Sequence, residues 1–289
     1  MTLYKLEEMF PADLERRIEE NPVVILPFGT IEWHSYHLPI GLDSLKAKAL
    51  CKKIAAQADA VLAPLTSWAV GGVPFPHTVR FELDLIETLM ARAFEQMSLL
   101  GFRAVLGITG HYGLEQTLAI KRAALGVMRT HPVTVWAAGE FEPVIDVGYL
   151  GDHAAKWETS ILWALRPDLV RMEAAAGKEA PPGIIGEDPR ATASQSLGEE
   201  TVEALCDRWA NLARSLPGMP NVQRMQYIEA LNAGVRVLER LLAERLSKPR
   251  SQVPALTTPA YLDHLAALYR GDFPAAQKHA EVKLVDLSA

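Results

Sequence analysis

Four short apolar runs alternate with longer amphipathic stretches along the first part of the chain. The runs cover 23–29, 60–68, 104–110 and 133–139. Each is too short for a buried helix and has Gly or Pro in it or beside it, which predicts strands. The stretches between and after them predict helices over 44–58 (with Ser44 as its cap), 84–100, 114–130 and 156–166. Nearly continuous apolar strands are typical of sheets covered on both faces, so the alternation predicts an α/β fold with a mainly parallel sheet.

The rest of the chain has a different pattern. Residues 172–198 are rich in Ala, Gly and Pro and predict a long loop. Helical patterns follow at 199–215 and 221–247, then a linker at 248–259 and a short helix at 260–270. The chain therefore divides into a domain of residues 1–215 and a helical C-terminal extension of residues 216–289. Leucines at helical spacing in 231–246 indicate a buried face, which packs either within the same subunit or at an oligomer contact.

Composition and charge narrow the classes of partner. The 289-residue chain carries a net charge of −6 without a Lys/Arg cluster, which argues against a nucleic-acid partner. No apolar run approaches the roughly 18 residues that span a bilayer, and the N-terminus lacks the apolar segment of a signal peptide. Cys51 and Cys206 have no metal-binding or redox spacing. We therefore expect a cytoplasmic protein with no membrane partner and with reduced, buried thiols.

Polar residues follow several of the predicted strands, at the edge where open α/β sheets bind ligands. Glu32 and His34 come after the first strand and project to the same side of an extended segment. Asp43 precedes the first helix, and His111 follows the third strand between two glycines. The segment after the fourth strand contributes Asp152, His153 and Glu158.

Imidazole and carboxylate groups together suit zinc, manganese or iron. A single catalytic zinc needs three protein ligands, so five or more candidates favour two ions, which can hold a bridging hydroxide and polarise a carbonyl group. That is hydrolytic chemistry. Structural explanations exist for the same residues, because Asp43 suits a helix N-cap and Glu158 suits a first helical turn. The spacing alone does not choose between the two interpretations.

The remaining polar residues are assigned smaller roles. His37 is expected to be structural or to orient a ligand, and His77 lies in a loop that could line a pocket. The other histidines and acids after strands are predicted to be exposed, namely Glu140, Glu142, His131, His264 and His279.

Four motifs resemble those of the creatininase (creatinine amidohydrolase) family, in the same order and over about residues 20–215. "PFGTIEWHSYHLPIGLD" (27–43) is similar to the family's P-x-G-S-x-E-x-H-G-x-H-L-P-x-x-T-D. "TGHYG" (109–113) resembles N-G-H-G-G-N, and "DHAAKWETS" (152–160) resembles H-A-G-x-x-E-T-S. "GEDPRATASQSLGEE" (186–200) resembles G-D-P-x-x-A-T-x-x-x-G.

The resemblance implies a three-layer α/β/α sandwich, a centre of two divalent metal ions and a homo-oligomer, usually a hexamer. His153 would transfer protons, and Asp43 would bridge the two ions. The implied metal ligands are Glu32, His34, Asp43, His111 and Glu158, and the candidate substrate contacts are Tyr112, Trp157 and His77.

Several positions depart from the family pattern. Ser35 and Tyr36 replace Gly and a frequent Pro, and Thr109, Leu114 and Ala155 also differ. Creatininases have a Glu two residues after the histidine of the second motif, where this chain has Gly113, so Glu158 must supply the missing carboxylate. These changes argue against creatinine itself as the substrate.

The favoured function is a hydrolase that cleaves a cyclic amide or formamide C–N bond in a small molecule. A metal-bridging hydroxide would attack the carbonyl carbon, and His153 would protonate the leaving group as general acid. One alternative keeps the metals and opens the ring of a cyclic polyol ketone by C–C cleavage. Another is a non-catalytic metal-binding subunit or maturation partner.

Overall fold

The computed structural model describes residues 2–177, 179, 181–248, 253 and 255–287. Across these residues the sheet has five strands, all parallel, in the order β1-β3-β2-β4-β5, so the predicted parallel sheet is confirmed. The strands are β1 (Tyr4–Lys5), β2 (Val23–Phe28), β3 (Val61–Leu62), β4 (Ala104–Thr109) and β5 (Thr134–Gly139).

Helices form a layer on each side of this sheet. Their bounds are α1 (Pro11–Glu20), α2 (Leu42–Ala58), α3 (Leu83–Leu99), α4 (Leu114–Thr130), α5 (Lys156–Leu165), α6 (Pro189–Thr192), α7 (Gln195–Ser215), α8 (Asn221–Ser247), α9 (Pro259–Tyr269) and α10 (Phe273–Asp286). Helices α2, α5 and α7 pack on one another, and α2 lies on β2. Helices α3 and α4 pack together, with α4 against β5. The three-layer α/β/α architecture is therefore as predicted.

The C-terminal helices pack on the rest of the same chain. Helix α8 lies against α4, and α10 packs on both α8 and α9. The Tyr227 ring of α8 stacks on the Trp136 ring of β5, with centroids 4.5 Å apart. The leucine face of α8, including Leu231, Leu238 and Leu241, is buried. Packing within the subunit, one of the two expected uses of this face, is what the structure shows.

Some predicted boundaries were wrong for identifiable reasons. Strand β3 ends at Leu62 rather than at residue 68, because Pro64 has no N–H to extend the ladder. Helix α2 begins at Leu42, so Ser44 lies inside it and donates through Oγ to the carbonyl of Thr30 instead of capping it. The predicted 172–198 loop contains the short helix α6 and the first turn of α7, which begins at Gln195. Residues 178 and 180 of this loop lie outside the described residues. The sequence patterns did not predict α1 or α10, and residues 249–252 and 254 of the predicted linker lie outside the described residues.

The carboxyl ends of the long strands meet at one edge of the sheet. Phe28 of β2 pairs with Thr109 of β4, which pairs with Gly139 of β5. The segments that carry the candidate residues therefore leave the sheet side by side. Among the described helices, none is both long enough and apolar enough to cross a membrane.

Candidate metal centre

The segment after β2 brings two candidate ligands into the interior. Glu32 and His34 are each 1% exposed. The His34 ring is fixed by a hydrogen bond of 3.0 Å from Nδ1 to the carbonyl of Glu32. The other ring nitrogen, Nε2, lies 3.5 Å from Asp43 Oδ1 and 3.5 Å from Glu158 Oε2. His34 therefore presents one free nitrogen to two carboxylates.

Asp43 occupies the first turn of α2 rather than the position before it. The helix can approach this closely because residue 110 is a glycine: a Cβ on Gly110 would lie 2.3 Å from the Asp43 carbonyl oxygen. Asp43 is 1% exposed, and neither of its carboxylate oxygens has a hydrogen-bond partner among the described residues. A carboxylate buried in this way needs positive charge beside it, from protonated imidazoles or from a bound cation.

His111 follows β4 and reaches the same point from the other side. Its Nδ1 lies 2.8 Å from Glu32 Oε2 and 3.3 Å from Asp43 Oδ2. Its Nε2 donates to the carbonyl of Val70 over 3.2 Å. As in His34, a backbone carbonyl takes one N–H and leaves the second nitrogen facing acids, which is the usual setting of a metal-binding imidazole.

The segment before α5 supplies Glu158 and His153. The Asp152 carboxylate accepts hydrogen bonds from the backbone N–H groups of Trp157 and Glu158, which fixes the first turn of the helix. Glu158 Oε2 accepts from the Ala154 N–H over 2.8 Å and faces His34. The His153 ring stacks on that of His34, donates from Nε2 to the Trp33 carbonyl, and places Nδ1 3.7 Å from Glu32 Oε1.

The five expected metal ligands thus form one buried cluster, with His153 beside it. Together with those of His153, their nitrogen and oxygen atoms make three overlapping groups compact enough for an ion. These are Glu32–Asp43–His111, His34–Asp43–Glu158 and Glu32–His34–His153. The donor set of imidazoles and carboxylates fits zinc, manganese or iron. The unpartnered oxygens of Asp43 and the oriented ring nitrogens support that fit.

The electrostatics of the cluster follow from its burial and its acids. Burial alone would lower the pKa of His34, but Asp43, Glu158 and Glu32 outweigh it and raise that pKa to about 9. The pKa of His111 is likewise raised against the effect of burial, by Glu32 and Asp43. Without metal the rings carry the positive charge that the acids require, and ion binding must displace those protons. Burial and the nearby His34 lower the pKa of His153.

The three candidate substrate contacts lie in different surroundings. The Tyr112 hydroxyl donates to Glu158 Oε1 over 2.8 Å, and the Trp157 ring stacks on Tyr149 with centroids 5.2 Å apart. His77 is exposed, in a segment where the Phe75 ring stacks 3.8 Å from the Trp33 ring. Two of the three therefore contact buried groups behind the cluster, whereas His77 is exposed.

Sequence reasoning missed two residues behind the ligands. Lys46 is fully buried and lies 2.8 Å from Glu140 and 2.9 Å from Glu158. The sequence signal that could have revealed Lys46 was its position on α2. It lies three residues after Asp43, on the apolar helix face that carries Leu50. Glu140 was predicted to be exposed and is fully buried.

Two further exposure predictions were also wrong. Glu142 is buried in an ion pair with Lys121, and His264 is buried with its Nδ1 bonded to the Ala276 carbonyl. Packing against helices shields both side chains from solvent, and the sequence around each residue does not reveal that packing. His37 is buried against Thr159, in keeping with a structural role. Cys51 and Cys206 are free and buried, as expected.

A parallel α/β sheet with buried acids and imidazoles at its carboxyl edge defines an α/β enzyme with a candidate metal centre. The family model of creatininase, described as creatinine amidohydrolase, matches residues 7–213. The chain therefore belongs to the creatininase family and is a hydrolase, which confirms both predictions.

Individual relatives are more distant. A creatinine amidohydrolase of Pseudomonas putida is 26% identical over 176 residues, 52% of this chain and 67% of that protein. A mycofactocin precursor peptide peptidase of Mycolicibacterium smegmatis is 28% identical over 216 residues, 65% of this chain and 84% of that protein. A solved structure of creatininase with Mn has a TM-score of 0.65 and 23% identity, and covers 74% of this chain and 98% of its own.

Proposed function

We propose that this protein is a hydrolase with two divalent metal ions that share Asp43. The observation that carries the proposal is the placement of that carboxylate. Its Oδ2 lies 3.3 Å from His111 and its Oδ1 lies 3.5 Å from His34, so each oxygen belongs to a different ligand group. One ion would be held by Glu32, Asp43 and His111, and the other by His34, Asp43 and Glu158.

Bound divalent ions of zinc, manganese or iron type would lower the pKa of a water molecule and polarise a carbonyl oxygen. The protein's part is to present neutral imidazoles and charged carboxylates to them. The backbone carbonyls of Glu32 and Val70 do this for His34 and His111, because each accepts the N–H of one ring nitrogen and leaves the other nitrogen as a lone-pair donor.

His153 is proposed as the proton-transferring residue. Its Nε2–H donates to the Trp33 carbonyl over 3.0 Å, so the neutral ring keeps its free lone pair on Nδ1, on the side of Glu32. A lowered pKa keeps the ring neutral near pH 7. Nδ1 can therefore take up a proton from the nucleophile and deliver it to a leaving nitrogen.

The proposed substrate is a small molecule with a cyclic amide or formamide C–N bond. The likeness to creatinine amidohydrolase supports amide chemistry, whereas Gly113 in place of a carboxylate argues for a substrate other than creatinine. His77 remains the proposed direct substrate contact. It is the most exposed of the three candidates, and its ring contacts Phe75, which stacks on Trp33. Tyr112 and Trp157 contact buried groups behind the cluster, so we propose that they act on substrate binding indirectly, through Glu158 and Tyr149.

A second candidate is the peptide bond of a short peptide. It is favoured by the relative named a peptide peptidase, of which the match covers 84%. The same metals and the same His153 would serve, because both substrates lose an amine from a carbonyl carbon. The two candidates differ only in the size of the substrate that the outer part of the site must admit, a small molecule or a short peptide.

The test is turnover by protein freed of metal and reloaded with zinc, manganese or iron, with His153→Asn as a matched control. The panel contains cyclic amides, formamides, short peptides and cyclic polyol ketones. Release of amine or formate by the wild type but not by the variant supports the proposal. Turnover of ketones alone identifies the C–C hydrolase, and metal-dependent stability with no turnover identifies a non-catalytic subunit. Either result contradicts amide hydrolysis.

The division of the chain into domains and its oligomeric state are proposed from the family match and the family resemblance. Residues 1–215 would form the catalytic domain, which corresponds to the family match, and residues 216–289 would form the C-terminal extension. A homo-oligomer, with the hexamer as its expected form, is proposed from the family resemblance. Light scattering after size-exclusion chromatography measures the mass of the assembly. A monomer at micromolar concentration would contradict the proposed oligomer.

A further inference from the structure

A buried lysine lies directly behind one of the candidate metal ligands. Lys46 Nζ is 2.9 Å from Glu158 Oε1, and its side chain has no exposed surface. The Tyr112 hydroxyl donates to the same oxygen over 2.8 Å. Glu158 Oε1 is thus occupied by two donors on the side away from the proposed ions.

The second oxygen of Glu158 has the opposite surroundings. Oε2 accepts the Ala154 N–H and lies 3.5 Å from His34 Nε2, within the ligand group that includes Asp43. A free carboxylate can bind an ion through one oxygen or through both. Here one oxygen is held on the protein side, so the group can offer only the other.

Lys46 does not depend on Glu158 for its charge balance. Its Nζ lies 2.8 Å from Glu140 Oε1, which also accepts the Tyr149 hydroxyl hydrogen bond over 2.6 Å. A buried ammonium with a single carboxylate partner would compete with any ion for that carboxylate. Because Glu140 is a second partner, Glu158 stays available as a ligand.

We propose that Lys46, balanced by Glu140 and assisted by Tyr112, is a positioning residue that restricts Glu158 to one oxygen as a metal ligand. A single-oxygen ligand leaves more of the ion's coordination sphere for the substrate and its nucleophile. The inference rests on the proposed metal centre, and it assigns a role to a side chain that neither ligates nor touches the substrate.

The test compares the wild type with Lys46→Met in protein freed of metal and titrated with Co²⁺. Loss of the lysine should weaken the ion held by His34, Asp43 and Glu158 by about 10–100-fold, as is typical when the partner of a ligand is removed. The other ion should bind as before. Removing a positive charge beside two cations would by itself tighten binding, so selective weakening identifies positioning rather than charge.

The visible spectrum of the Co²⁺ protein gives a second readout. If Oε1 of Glu158, with one of its two donors removed, turns to the ion beside Oε2, the coordination number rises and the absorptivity should fall, because geometry governs the spectrum of a transition metal. Tyr112→Phe removes the other donor with little change of shape, so it should shift the spectrum in the same direction. This variant keeps the test valid if Lys46→Met does not fold.

The matched control is Lys121→Met. Lys121 forms a buried ion pair with Glu142 over 2.8 Å, and neither residue belongs to the ligand groups found in the described residues. Lys121→Met should lose about as much stability as Lys46→Met, without a change in Co²⁺ affinity or in the Co²⁺ spectrum. Unchanged or tighter binding in Lys46→Met, or the same change in both lysine variants, would overturn the role of Lys46. Failure of the wild type to bind Co²⁺ would instead overturn the metal centre itself.

Discussion

The imidazole rings of His34 and His153 stack with their centroids 4.4 Å apart and their planes at 27°. The two rings differ in what fixes them. His34 donates to the Glu32 carbonyl and turns Nε2 toward Asp43 and Glu158, whereas His153 donates to the Trp33 carbonyl and turns Nδ1 toward Glu32. One ring is therefore placed as a ligand, and its neighbour is placed to handle a proton.

His153→Asn tests this division of roles. Loss of a general acid should lower kcat by about 10²–10⁴-fold, while the metal content stays at two ions per chain. Metal analysis and steady-state kinetics on the same preparation measure both. Because His153 also completes a group with Glu32 and His34, a fall to one ion per chain would show that it is a ligand instead.

Asp43→Asn should remove both ions, since Asp43 is the acid common to the groups that contain His111 and Glu158. Glu32→Gln should remove only the ion shared with His111 and leave about one ion per chain. The two variants change a carboxylate to an amide of the same shape, so packing is held constant. Metal content after dialysis is the measurement, and equal losses in both variants would contradict a shared Asp43.

At Gly198, helix α7 lies directly against the backbone of α5. A Cβ there would lie 1.8 Å from the Ser160 carbonyl oxygen, a backbone atom that cannot move alone. Gly198→Ala should therefore lower the free energy of unfolding by about 3 kcal/mol, the upper end of typical overpacking costs. Metal binding should weaken as well, because α5 carries Glu158.

The control for this substitution is Gly126→Ala in α4. Beyond its own helix, a Cβ on Gly126 would meet no atom of the described residues within 4 Å, and alanine has the higher helix propensity. The expected result is a gain of about 0.5–1 kcal/mol in the free energy of unfolding. Urea denaturation measures the free energy of unfolding of both variants. Equal changes in the two would show that close packing at Gly198 does not determine the effect of the substitution.

His264 should make the protein less stable in acid. Burial lowers its pKa to about 4, although the bond to the Ala276 carbonyl opposes this. Above the ordinary pKa of about 6.5 the ring is neutral in both states and its contribution is complete. As the pH falls toward 4 the unfolded chain binds the proton first, so stability is lost, by about 2 kcal/mol between pH 8 and pH 5.

Comparison with His264→Asn isolates this effect, because asparagine can still donate to the Ala276 carbonyl but does not titrate. Urea denaturation measures the free energy of unfolding of both proteins at pH 8 and pH 5. The difference by which the wild type exceeds the variant should be smaller at pH 5. A difference that does not change with pH would mean that folding does not lower the pKa of His264, so that this ring contributes nothing to acid sensitivity.

The sequence was a good guide where a signal is local. Continuous apolar runs gave β2, β4 and β5, and amphipathic stretches gave the long helices between them. The acids and imidazoles expected after these strands lie together because parallel strands send their carboxyl ends to one edge. Local signals failed for Glu140 and His264, whose burial comes from packing against other helices, and for β3, where Pro64 limits the pairing.

The sequence by itself determined the alternation of strands and helices and the identity of the acids and imidazoles that leave the sheet. Hydrophobic periodicity and residue chemistry are properties of neighbouring residues, so they can be read without a fold. Only the tertiary structure decided which oxygen of Asp43 faces which histidine, and that Lys46 and Glu140 stand behind Glu158. Those relationships join segments far apart in the chain, and they are fixed by the packing of α2 on the sheet and of α5 on α2.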